Sequence, residues 1–141
     1  MPAIADPGSL VVGGAHQMGA KVVHLLGPCS ILLTLAASGL NGQSFSFVGY
    51  VPTQESERIE RLKQLEKLSK EGQTQLFIET PYRNESLLKT LLSTLHTSTF
   101  LVAACGLTLE NEQIISGKIS TWHDQKWKVP AKLPTVFALG K

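Results

Sequence analysis

Three short segments of this 141-residue chain gather polar side chains where a turn of the backbone would present them. The richest is Glu79-Thr80-Pro81-Tyr82-Arg83, which sets a carboxylate, a hydroxyl, a phenol and a guanidinium directly after the expected strand Gln75 to Ile78. Arg83 suits a phosphate, and Glu79 suits polar contacts with a ligand or a nucleophile. The two can equally pair with each other across the turn and contribute little if exposed. Gly27-Pro28-Cys29-Ser30 divides a β-branched run from a helix-forming stretch. Ser30 there can cap the helix, the simpler reading, or offer its hydroxyl to the crevice where open α/β sheets hold ligands. Asp6-Pro7-Gly8-Ser9 precedes another helical stretch. Asp6 can cap its backbone N–H groups, or those amides can face a charged ligand.

Other chemistries find little support. His16, His24, His96 and His123 form no constellation, and Cys29 and Cys105 belong to no cluster of metal-ligand spacing. Both thiols read as small buried hydrophobes, and no metal site is expected. The net charge of +2 neither demands nor excludes an anionic partner such as RNA. Apolar runs such as Phe100 to Cys105 fall far short of a membrane span, and the N-terminus lacks the basic flank and long apolar run of a secretory signal. A cytoplasmic protein is expected, with residues 1–141 forming one domain.

The elements that would position these segments follow from periodicity. Ser9 to Met18 reads as a helix with a buried face, and the Gly13-Gly14 pair within it suggests close packing. Lys21 to Leu25 reads as a strand and Ser30 to Ser38 as a helix. Ser44 to Val51 reads as a strand ending at Pro52. Thr53 to Glu71 reads as a surface helix, with Thr53 able to cap it and Gly72 to end it. Its apolar residues recur every three positions from Ile59 to Leu68, with Arg58 among the charges elsewhere. Thr74 to Glu79 is a strand, and the leucines from Leu87 to Leu95 mark one helical stripe. Phe100 to Cys105 does not alternate, which predicts a central strand covered on both faces. Gln113 to Thr121 reads as an edge strand or extended segment, Lys126 to Lys132 as a loop flanked by Trp122 and Trp127, and Pro134 to Leu139 as the last strand. This order predicts an α/β fold, a mixed and mostly parallel sheet covered by helices.

Taken together, Pro2-Ala3-Ile4-Ala5-Asp6-Pro7-Gly8, then Val22-Val23 with Gly27-Pro28-Cys29-Ser30 and Ala37-Ser38-Gly39-Leu40, then Phe77-Ile78-Glu79-Thr80-Pro81-Tyr82-Arg83 resemble the tetrapyrrole methylase superfamily. Within it they are similar to the branch of the small-subunit ribosomal RNA 2′-O-ribose methyltransferases. Phe45 to Pro52 matches the Phe-x-Phe-x-Gly-Phe/Tyr-x-Pro stretch of that branch. Cys29 stands where Pro or Ile is more usual, and Tyr82 where the branch often has His, which leaves the exact substrate open.

The resemblance implies the C-terminal domain of a two-domain, dimeric methyltransferase using S-adenosylmethionine, with the cofactor held between the domains. It implies that the chain lacks the N-terminal domain, and that taken alone it is inactive, a silent binding or dimerisation domain. Carried over by position, Ile4, Ser30, Ile31, Glu79, Pro134 and Thr135 would contact the cofactor. Tyr82 and Arg83 would contact RNA, and Asp6 or Glu79 would act as base for an unactivated hydroxyl. Ribosomal RNA ribose is favoured over a tetrapyrrole-type small molecule as the acceptor.

Overall fold

A computed structural model describes residues 1 and 3–141; Pro2, part of the first matched segment, lies outside the described residues. The elements run α1 (Ser9–Gln17), α2 (Ser30–Ser38), β1 (Phe45–Tyr50), α3 (Glu55–Lys70), β2 (Thr74–Glu79), a 3₁₀ turn (Pro81–Arg83), α4 (Asn84–Thr94), β3 (Phe100–Cys105), β4 (Gln113–Lys118), α5 (Ile119–Gln125) and β5 (Thr135–Gly140). The five strands form one sheet in the order β1-β2-β5-β3-β4.

The sheet is mixed, as expected, but it is not mostly parallel. Only β1 and β2 pair in parallel, whereas β2–β5, β5–β3 and β3–β4 are antiparallel. The cause lies in the connections. Helical crossovers deliver β2 and β3 in the direction of β1. The last strand, β5, then inserts between β2 and β3 from the opposite direction and separates two strands that alternation alone would have left adjacent.

Alternation along each strand divides the core into two layers. Phe77, Phe137, Leu139, Leu101 and Cys105 face α3, α4 and α5, where they meet Leu62, Leu65, Leu87, Leu91 and Trp122. Leu76, Val102, Val136 and Ala138 face α2 and pack on Cys29, Ile31 and Leu35. β3 is therefore covered on both faces, and both thiols are buried. Gly39 takes φ 76° and ends α2 in the left-handed turn that favours glycine.

Several sequence expectations are corrected. The α1 helix forms, yet none of its residues is buried, and nothing lies within 4 Å of a Cβ built on Gly13 or Gly14. Lys21 to Leu25 forms no strand, since no neighbouring strand is available to its N–H and C=O groups. Thr53 does not cap α3: Gln54 occupies that position without a side-chain bond. Arg58 is not on the outer face of α3. It is buried on the stripe of Leu62, Leu65 and Ser69. The expected extended segment stops at Lys118 and becomes α5, because burying Trp122 outweighs the weak helix propensity of Ile119 and Thr121. No helix among the described residues is long and apolar enough to cross a membrane.

Candidate functional site

At one end of the sheet, three strand termini meet in register: Glu79 of β2 lies opposite Thr135 of β5, which lies opposite Cys105 of β3. Above this row opens a cavity of about 600 Å³. Its walls come from the strand ends at Ile78 and Glu79, at Ala104 and Gly106, and at Pro134 to Val136, from Ser30 at the start of α2, and from the turn at Ile4 to Asp6. Five stretches of sequence thus converge on one space of a size that suits a small organic ligand.

Of the residues singled out from sequence, Ile4, Asp6, Ser30, Glu79, Pro134 and Thr135 all line this cavity. Ile31 does not. It is buried on the sheet-facing side of α2 and borders a separate apolar cavity of about 440 Å³ with Cys29 and Phe47. Tyr82, largely exposed, lines a third cavity on the far side of the 3₁₀ turn. Arg83 lines none of the three.

Strand alternation explains the wall chemistry. Ile78, Ala104 and Val136 carry their side chains towards α2, and they make the cavity wall apolar. Glu79 shares the opposite face with Phe77 and turns its carboxylate into the 3₁₀ turn. There Oε1 accepts the Thr80 N–H at 2.7 Å, the Thr80 hydroxyl at 3.2 Å and Arg83 Nε at 2.9 Å, and Arg83 Nη2 lies 2.7 Å away. The pairing of Glu79 with Arg83 is therefore realised, with the carboxylate fully buried and Arg83 partly exposed. Among the described residues the buried Oε2 has no hydrogen-bond partner.

Neither polar turn residue acts as a cap. Gly8 and Cys29 occupy the N-cap positions of α1 and α2 without side-chain bonds, and Ser30 is the first helical residue. Ser30 is exposed and lines the cavity. Ala3 and Ala5 both adopt left-handed backbone (φ 61° and 56°), a conformation that costs a non-glycine residue about 1 kcal/mol and presents Ile4 between them. Burial pushes the Cys105 thiol up, with a smaller opposing effect from the neighbouring Thr135 hydroxyl. Among the described residues no group of three or more His, Cys, Asp or Glu could hold a metal ion.

Sequence reasoning passed over Asn84. Buried at the start of α4, it donates through Nδ2 to the Leu133 carbonyl at 2.9 Å and to the Thr135 hydroxyl at 3.0 Å. It thereby fixes the Leu133 to Thr135 approach that forms one wall of the cavity. An Asn at a helix start reads as a cap, and nothing local announces a bond to a residue fifty positions on.

Comparison with known proteins was made with this geometry in hand. No family model matches the chain. It is 39% identical over 113 residues to the ribosomal RNA small subunit methyltransferase I of Vibrio cholerae, covering 80% of this chain and 38% of that protein. Against the protein of the same name from Bacillus subtilis it is 35% identical over 120 residues, covering 85% of this chain and 40% of the relative. The chain thus spans about 40% of the length of these curated relatives. Among solved structures, the methyltransferase CobJ superposes with a TM-score of 0.62 at 16% identity, covering 99% of this chain and 61% of CobJ. A uroporphyrin-III C-methyl transferase from Thermus thermophilus, complexed with S-adenyl homocysteine, superposes with a TM-score of 0.57 at 18% identity, covering 99% and 62%. These structural likenesses establish a shared fold.

Proposed function

We propose that this chain belongs to the tetrapyrrole methylase superfamily, on its small-subunit ribosomal RNA methyltransferase branch, and that its strand-end cavity is one wall of a site for S-adenosylmethionine. The reaction we assign is transfer of the cofactor's methyl group to a ribose 2′-oxygen of ribosomal RNA. The carrying observation is convergence: six residues assigned by sequence to cofactor or catalysis line one cavity of about 600 Å³. RNA is favoured over a tetrapyrrole because the relatives at 35–39% identity are named for ribosomal RNA, whereas the tetrapyrrole enzymes share only the fold.

The cavity fits the cofactor's chemistry. Apolar Ile78, Ala104 and Val136 suit a flat purine, while the Ser30 hydroxyl and the backbone around Thr135 suit ribose and amino-acid groups. When bound, the cofactor supplies an electrophilic methyl group on a sulfonium. The chain's residues orient the partners, and alignment is the main source of rate in such a transfer. Asp6, exposed at the cavity mouth, is the freer of the two candidate bases, because Oε1 of Glu79 is already held by Thr80 and Arg83. We assign residues 1–141 as a single, C-terminal cofactor-binding domain of a cytoplasmic enzyme, silent in catalysis by itself. We propose that it associates as a homodimer, with exposed Leu10, Met18, Leu25 and Leu26 as an apolar surface for that association.

Titration of the ¹⁵N-labelled chain with S-adenosylhomocysteine tests the reading by amide shifts. Weak binding is expected, with the largest shifts at Ser30, Ile78, Glu79 and Thr135. Shifts confined to other surfaces would remove the cavity from consideration.

A further inference from the structure

Beyond the 3₁₀ turn lies a second and larger cavity, about 1000 Å³, between α4 and the segment that follows α5. We propose that this groove holds single-stranded RNA and anchors the substrate away from the point of methyl transfer. The proposal rests on the RNA reading above and adds to it a binding surface with its own residues.

Charge selects the occupant. Lys89 projects from the α4 wall and Lys128 from the facing segment, with His123 between the two elements and Glu85 the one carboxylate of the lining. No acidic residue occurs after Asp124, while Lys126, Lys128, Lys132 and Lys141 all do. Of these only Lys128 lines the groove, and with Lys89 it sets two lysines against the single carboxylate of Glu85. Such a trough tracks a polyanion.

Two aromatic rings complete it. The Trp127 ring stands edge-on to buried Trp122, with centroids 5.4 Å apart, and it covers Gly117 so closely that a Cβ there would lie 2.8 Å from the ring. Trp127 is thus packed, partly buried, in the groove wall. Tyr82 is 77% exposed, with the Arg83 guanidinium 5.5 Å from its ring centroid. Fixed aromatic faces between lysines are how sequence-tolerant proteins bind unpaired nucleotides. Continuity supplies the last argument: Tyr82 lines the groove, and its neighbour Pro81 lines the methyl-transfer cavity. A strand lying in the groove passes from one to the other around the 3₁₀ turn.

The test uses the full chain and a fluorescein-labelled single-stranded RNA of about 12 nucleotides, read by anisotropy between about 50 and 200 mM salt. Lys89→Gln with Lys128→Gln should weaken binding about tenfold and lower the salt slope by about 1.4, or 0.7 for each lost phosphate contact. Tyr82→Ser should weaken it about fivefold with the slope unchanged. Lys63→Gln with Lys67→Gln, an equal charge loss on exposed α3 positions, should leave binding near the parent value. Circular dichroism confirms that every variant is folded. Equal weakening by both lysine pairs, no saturable RNA binding by the parent, or displacement of the RNA by a polyglutamate peptide would overturn the proposal. The S-adenosylhomocysteine titration is independent: groove-dependent RNA binding without cavity shifts would retain the groove and reject the methyl-transfer site.

Discussion

The two first helices, α1 and α2, are each nine residues long, predominantly small and apolar, and opposite in fate. α2 buries Ile31, Thr34, Leu35 and Ser38 against the sheet, whereas α1 buries none of its residues and leaves Leu10 90% exposed. Hydrophobic content is similar in kind, so content does not decide burial. What decides it is whether an opposing surface of matching shape lies within reach: α2 meets Leu76, Val102, Val136 and Ala138, and α1 meets nothing comparable. The contrast is measurable in unfolding experiments. Leu35→Ala should destabilise the chain by about 2–4 kcal/mol in urea denaturation, through lost burial and the cavity left behind. Leu10→Ala should change stability by no more than about 0.5 kcal/mol. Equal costs at the two positions would mean that α1 has a partner surface in solution.

The strand-end cavity sharpens the same contrast with charge in place of apolar area. Arg83 holds a carboxylate that is fully buried, so Arg83→Ala should cost about 2 kcal/mol even though Arg83 itself is partly exposed. Glu79→Gln with Arg83→Ala should recover part of that loss, since the buried charge is then gone. A single Arg83→Ala variant as stable as the parent would show the pair to be merely superficial, and would return Arg83 to the pool of RNA-binding candidates.

How much of this could be read in advance follows from the same distinction. Ser30–Ser38, Thr74–Glu79, Phe100–Cys105 and the leucine stripe of α4 were legible because each carries a periodicity that its own environment satisfies. Six cavity residues were legible through a family resemblance, not through periodicity. The sheet order was not legible, because the insertion of β5 between β2 and β3 is a property of the whole chain. Nor was α5, a seven-residue helix held by the burial of Trp122 and its indole N–H bond to the Leu101 carbonyl. Asn84 and Arg58 were hidden for one reason: polar residues at helix starts suggest solvent, and only the packed structure shows them turned inward.

A smaller effect, dependent on pH, belongs to the contact between α3 and the turn that follows α4. Burial pushes the Glu66 carboxyl up, but the Thr99 hydroxyl, the His96 N–H and the Lys70 ammonium together outweigh it and leave the group below its ordinary value. A carboxyl lowered in the folded state contributes stability that is fully present above its unfolded value. That contribution is lost as pH falls through the folded one. Stability, followed by the β-sheet signal, should therefore fall as pH drops below about 4.5, and Glu66→Gln should flatten that part of the profile while costing about 1 kcal/mol at neutral pH. An unaltered acid profile in the variant would assign the acid sensitivity elsewhere.

The smallest expected change in stability carries the most information about α1. Leu10, Met18, Leu25 and Leu26 are 83–99% exposed, and they belong to one stretch of chain that makes little contact with the sheet. An isolated nine-residue helix is marginal in water, so a surface of this kind gains by meeting another copy of itself. Leu10→Asp with Leu26→Asp should leave the urea midpoint of the sheet within the error of about 0.5 kcal/mol, because neither side chain is part of either core layer. The same pair should shift the mass measured by light scattering from dimer towards monomer at the concentration where the parent associates. Amide exchange then separates two accounts of α1. If its helix is supported by association, Val11 and Val12 are protected in the parent and unprotected in the variant, whereas amides of β3 exchange alike in both. Protection of Val11 and Val12 that survives in a monomeric variant would show that α1 packs within its own chain, and the contrast with α2 would then be one of degree.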